Sequence, residues 1–152
     1  MSDHAELARE LFLQGYNCSQ AVLCAFGDVT GLDIDAAARM ASSFGGGLAR
    51  LRQVCGTVSG AALVLGIARG YSDPKDPGAK AAHYRLVQEF ARRFEAQNGS
   101  IVCRELLRGV EVAPGPDPEA RTPEYYRKRP CPNLAWQSAR ILDEMLGLSF
   151  EP

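Results

Sequence analysis

From Gln53 to Ala68 the chain reads QVCGTVSGAALVLGIA, sixteen residues without a charge. Val58, Ala61, Ala62, Leu63, Val64, Leu65 and Ile67 fall on nearly every face of a helix drawn through this stretch. Such a helix cannot lie on a surface, so the chain must supply neighbours that enclose it. The run is too short to cross a bilayer, which asks for roughly 20 apolar residues. It predicts the most buried helix of the fold, with Gly56 and Gly60 allowing another backbone to come close.

The rest of the sequence supplies those neighbours as further helices, each with its own punctuation. Asp3 is placed to cap a first helix, with Glu6 reaching back and Gly15 ending it. Asn17 caps a short second one, SQAVLCAF, that stops at Gly27. A third starts near Asp33 or Asp35 and runs out in Phe44-Gly45-Gly46-Gly47, a turn shaping the approach to Cys55. Asp76 followed by Pro77 opens the longest helix, along which Ala79, Ala82, Leu86, Phe90 and Phe94 recur, and Asn98-Gly99 closes it. Ser100 caps IVCRELLR, ended by Gly109, and a last helix carries Leu134, Ser138, Ile141, Leu142 and Met145 on one side. Alternating strand patterns are scarce. The expectation is an all-α single domain over 1–152, a bundle of about six or seven helices, crossed by an irregular proline-rich segment at about 111–132 with a turn at Pro123–Tyr126.

Length and charge narrow the function. A chain of 152 residues can bury a core without disulfide staples, and 17 basic against 18 acidic residues give a formal charge of −1, which does not favour nucleic acid. The one basic cluster, Arg127-Lys128-Arg129, reads as a solvated loop face. The opening MSDHAELARE has neither the basic start nor the apolar stretch of a signal peptide, so the expectation is a mature cytoplasmic protein that begins here. Wide apolar helix faces suggest a homodimer.

Five cysteines are present and none forms a Cys-x-x-Cys pair. Cys18, Cys55, Cys103 and Cys131 fall at or just inside helix starts, whereas Cys24 sits mid-helix as a small apolar filler. Unpaired N–H groups and aligned peptide dipoles at a helix start favour negative charge, so these four positions are expected to lower thiol pKa and raise the thiolate fraction, provided the starts converge.

The sequence GYNCSQAVL, then VCGTVSGA, then Cys103 and CPNLAWQSARIL resembles the C_GCAxxG_C_C family, small bacterial and archaeal domains named for four cysteines and a Cys-Gly-Ala-x-x-Gly motif. The resemblance covers nearly the whole chain, with Thr57 at the alanine position. It nominates Cys18, Cys55, Cys103 and Cys131, passes over Cys24, and implies a redox role. Four thiolates from separate helices can hold an iron–sulfur cluster in an electron-transfer protein with an unknown redox partner, and Gly56 and Gly60 would keep the backbone beside such a cofactor unobstructed. The alternatives are metal-free thiol/disulfide chemistry, a structural zinc site with the same four ligands, or a helical interaction module with passive cysteines.

Other chemistry is faint. Ser59 does not sit in a Gly-x-Ser-x-Gly elbow, and Gly45-Gly46-Gly47 lacks the lysine of a phosphate loop. His4 lies near a terminus expected to be mobile, and His83 reads as an ordinary helix residue. Tyr16, Tyr125, Tyr126 and Trp136 are candidates to shield a site.

Overall fold

A computed structural model describes residues 3–148; residues 1–2 and 149–152, part of the expected single domain, lie outside the described residues. It is all-α, with nine helices among the described residues: α1 (His4–Leu13), α2 (Cys18–Ala25), α3 (Gly27–Thr30), α4 (Ile34–Ala41), α5 (Gly56–Arg69), α6 (Pro77–Asn98), α7 (Cys103–Leu106), α8 (Pro123–Lys128) and α9 (Cys131–Met145). Six of them run to seven residues or more. Among the described residues no helix is long and apolar enough to cross a membrane.

The caps sit close to where the sequence puts them, because capping is a local transaction. Asp3 accepts from the Glu6 N–H at 3.1 Å, but the Glu6 side chain turns away to take the Trp136 indole N–H at 2.9 Å, so only half of the expected box forms. Asn17 makes the full reciprocal box with Gln20. Asp33 and Asp76 cap α4 and α6, and left-handed glycines at 31 and 99 end α3 and α6. The helix expected after Ser100 is shorter than its apolar pattern: Ser100 accepts from the Val102 N–H, and Val102 is diverted into an antiparallel bridge with Val54 before α7 begins.

The core is assembled around α2, not α5. Helix α2 packs on α1, α4, α5 and α9, and every residue from Cys18 to Phe26 except Gln20 is buried. Helix α5 buries its first half but leaves Ile67 exposed at its far end, where no further helix covers it. The sequence made α5 look central because it is uncharged throughout; α2 is shorter but has helices on four sides. Helix α6 packs its second half on α5 and α9 through Phe90 and Phe94, while Ala79 and Leu86 are half-buried and Ala82 is exposed. Ser138 of α9 donates to the Thr57 carbonyl at 2.8 Å, fastening α9 to the start of α5.

At one end of this bundle stands a feature that the sequence reading missed. His4 is buried; its Nδ1 lies 2.7 Å from Asp143 of α9 and its Nε2 2.8 Å from Asp28 of α3. The ring stacks on Phe26 with centroids 4.1 Å apart. The expected mobile position is a three-helix junction, because carboxylates distant in sequence come to meet the ring. The hydrogen bond that His4 donates to Asp143 raises its pKa, burial works against it, and the bond to Asp28 adds to the rise.

Candidate functional site

At the opposite end the helix starts converge. Cys18 is the first residue of α2, Cys103 of α7 and Cys131 of α9, while Cys55 is the residue that caps α5. The bridge between Val54 and Val102 explains how two of these arrive together: the Cys55 N–H donates to the Ile101 carbonyl at 2.8 Å and the Cys103 N–H to the Gln53 carbonyl at 2.6 Å. Cys18, Cys55, Cys103 and Cys131 all line one cavity of about 70 Å³, closed on its apolar side by Phe12, Leu107 and Leu134. Cys24 does not line it; its thiol faces the Ile34 carbonyl at 3.7 Å on the other side of α2. All five cysteines are free.

The two nominated glycines part company. A Cβ on Gly56 would fall on the Cys18 sulfur and press on the Phe44 carbonyl, so only glycine lets the start of α5 sit against that thiol. Gly60 instead lies against the Ser19 carbonyl of α2, where a Cβ would approach to 2.7 Å, and is absent from the cavity lining. Its role here is close helix packing, the other reading of a small residue on an enclosed helix. Gly47, expected only to form part of a turn, abuts the site: a Cβ there would come within 2.7 Å of the Cys103 Cβ.

The Gly45–Gly47 turn is tighter than a simple glycine turn. Five consecutive residues, Gly46 to Arg50, hold φ between 47° and 72°, and Arg52 follows at 62°. The left-handed conformation costs a side-chain-bearing residue roughly 1–2 kcal/mol, so Leu48, Ala49, Arg50 and Arg52 together store several kcal/mol of strain. Backbone bonds offset part of it, Arg50 N–H to Gly45 O at 3.0 Å, Arg52 to Gly46 at 3.0 Å and Gln53 to Gly47 at 2.9 Å. The coil aims the Gly46 N–H at the Cys18 sulfur and sets Arg52 Nη1 3.8 Å from the Cys103 sulfur.

The proline-rich segment closes the site from the other side. Arg121 donates to the Phe12 carbonyl at 2.9 Å and the Tyr16 carbonyl at 3.1 Å, and stacks on the Phe12 ring 4.2 Å from its centroid. Arg129 corrects the reading of its cluster as a solvated face. Arg127 and Lys128 are exposed, but the Arg129 side chain is only 4 % accessible, pairs with Glu119 and lies 4.7 Å above the Tyr125 ring. A basic run in a loop gives no signal of which residue turns inward. Of the aromatic candidates, Tyr125 lines the cavity; the Tyr16 carbonyl accepts from Arg121, the Tyr126 hydroxyl donates to the Leu13 carbonyl, and Trp136 is engaged with Glu6 and Arg140 on the α1/α9 surface.

For Cys18, Cys55 and Cys131 the electrostatics overturn the expectation of low-pKa thiols. Burial raises the Cys18 thiol; the Gly46, Ser19 and Cys18 N–H groups oppose it, and the neighbouring Cys103 adds to the rise. Burial, with the charge of Cys18, drives Cys55 far up despite the Thr57 hydroxyl 3.1 Å from its sulfur. Cys131 is pushed up to about 12 by burial and by Cys18, with Arg129 opposing. The helix starts do point N–H groups at sulfur, but desolvation of the charged form outweighs them. Part of the rise at Cys55 and at Cys131 comes from the charge of Cys18, which places these three sulfurs within electrostatic reach of one another. Among the described residues no three His, Cys, Asp or Glu side chains are gathered closely enough to grip a single metal ion as they stand.

A helical domain in which four helix starts present thiols to one buried cavity is the class of protein that these coordinates define. A family described as "Putative redox-active protein (C_GCAxxG_C_C)" matches residues 16–145, and the chain belongs to it. No match was found among curated proteins or among solved structures.

Proposed function

We propose that Cys18, Cys55, Cys103 and Cys131 hold an iron–sulfur or related metal centre and that the protein transfers electrons through it. The observation that carries this reading is the meeting of four sulfurs, from four separate helix starts, around a single cavity of about 70 Å³.

The surroundings fit such a group. The donors are all sulfur, as iron–sulfur clusters require. Gly56 leaves open the space beside Cys18 that any side chain would fill. The Gly46 and Ser19 N–H groups, Arg52 and Arg129 bring positive charge to the sulfurs, and among the described residues that line the cavity there is no carboxylate to match it. Four thiolates would balance it, and metal ligation is what deprotonates a buried thiol outright. A tetrahedral zinc site draws four sulfurs to about 2.3 Å from one point. Sulfurs spaced around a cavity suit a larger inorganic body better. When bound, an iron–sulfur cluster would supply one-electron transfer at a potential tuned by hydrogen bonds to sulfur and by burial. The protein's part is to hold the sulfurs, exclude water with Phe12, Leu107 and Leu134, and donate from Gly46 and Arg52.

A second reading is favoured by free thiols gathered at one cavity: a metal-free centre in which two of them close a disulfide, giving two electrons and two protons to an oxidising partner. Protein purified without oxygen separates the two. Visible charge-transfer absorption with iron and sulfide in matching amounts, lost in Cys55→Ser and kept in Cys24→Ser, is the result expected. Colourless protein with all five thiols titratable would transfer the assignment to disulfide chemistry, and stoichiometric zinc would make the site structural.

A further inference from the structure

Above the cysteine cavity lies a second, wider one of about 330 Å³, a size at the lower end of the roughly 300–1,000 Å³ typical of small-molecule sites. The two share a floor: Asn17, Gly46, Arg52, Arg121, Tyr125 and Arg129 line both. The outer chamber adds Arg50 from the left-handed coil and is walled by Pro116 and Pro118 of the proline-rich segment. Arg50, Arg52, Arg121 and Arg129 thus line the chamber with one carboxylate, Glu119, so among its described lining residues positive charge exceeds negative by three.

Glu119 has nothing further to offer. One of its oxygens accepts from the Ala113 N–H at 2.8 Å and from Arg50 Nη2 at 3.3 Å, and the other from Arg129. Burial works to raise its pKa, but the Ala113 N–H and the Arg129, Arg50 and Arg52 charges prevail and keep it ionised. Arg50 Nη1, by contrast, is buried and has no hydrogen-bond partner among the described residues. A buried guanidinium N–H left unsatisfied is costly, and water can meet the bond without meeting the surplus charge. The coil that carries Arg50 and Arg52 holds both side chains in a backbone conformation that such residues seldom adopt.

We propose that this arginine vestibule binds a small ligand bearing an oxyanion group, phosphate or carboxylate, with Arg50 as its principal contact and Arg52 and Arg129 supplying charge. A bidentate guanidinium is suited to both anions. The site goes beyond the redox reading and does not depend on it, because Arg50 lines the outer chamber and not the cysteine cavity. Next to a redox centre, it would select anionic reactants for the cavity beneath.

The test is calorimetric titration of the full chain with inorganic phosphate and, separately, with succinate, at low salt and without competing chloride. Saturable binding of either, at about 1 mM or tighter, is expected, and which of the two binds tells the phosphate class from the carboxylate class. Arg50→Gln should weaken that binding about tenfold, while Arg85→Gln on exposed α6 should leave it unchanged. Should Arg50→Gln fail to fold, amide NMR of the unaltered protein decides: shifts centred on Gly46, Ala49, Arg50 and Tyr125 support the site. Saturation by neither anion, undiminished affinity in folded Arg50→Gln, or shifts centred elsewhere would overturn it. None of these readouts uses iron, sulfide or thiol content, so either proposal can fail alone.

Discussion

The two ends of helix α2 solve the problem of buried polar groups in opposite ways. At its far end His4 is held between Asp143 and Asp28 and stacked on Phe26, so each ring nitrogen has a partner. At its start, four thiols share a cavity, the pKa of three of them is pushed up by burial, and the arginines overhead outnumber their carboxylate four to one. The same contrast runs between two cysteines of one helix, Cys18 and Cys24, which are almost equally buried at 8 % and 9 %. Burial alone therefore does not mark a site. What distinguishes Cys18 is an open volume beside it and N–H donors aimed at its sulfur.

The contrast breaks most visibly at the satisfied end. Asp143→Ala strips a buried charge of its partner and should cost about 3 kcal/mol in urea unfolding, because His4 keeps only the more exposed Asp28. A loss below about 1 kcal/mol would mean that the junction is ornamental. Gly56→Ala should cost about 2 kcal/mol by forcing a methyl onto the Cys18 sulfur, and should also disturb thiol or metal chemistry at the other end. Cys24→Ala is expected to cost only about 1 kcal/mol, with no change in metal or thiol content, since its sulfur only fills space beside Ile34. If it altered the redox centre, the division between the two cysteines of α2 would fail.

Two smaller effects sharpen the electrostatic side. The His4 pKa is raised in the folded state above its ordinary value near 6.5, so its contribution to stability is complete below that value and is lost as pH climbs through the raised one. Stability measured from pH 6 to 9 should therefore fall, and His4→Gln should flatten that slope. In metal-free protein, Cys131 should alkylate slowly at pH 8 because its thiol is held near pKa 12, and Arg129→Gln should slow it further by removing the charge that opposes the rise. Mass spectrometry of Cys131 reads the difference directly; faster alkylation would reverse the assigned role of Arg129.

The sequence by itself determined what is settled over a few residues. The Asn17 cap, Pro77 after Asp76, the closing Gly99 and the helical recurrence of Phe90 and Phe94 are satisfied within a turn or two, so residue order was enough to place them. The resemblance singled out the four cysteines, but no spacing in the chain could show that they meet. Tertiary structure alone decided that, through a bridge joining residues 48 positions apart, Val54 and Val102. It likewise turned Arg129 inward, tied His4 to Asp143 across the length of the chain, wound residues 46–50 left-handed, and made desolvation rather than the helix starts decide the thiol pKa. Each of these depends on what surrounds a residue in space. Burial and charge are properties of an assembled environment, and an environment drawn from distant segments leaves no local trace in the order of residues.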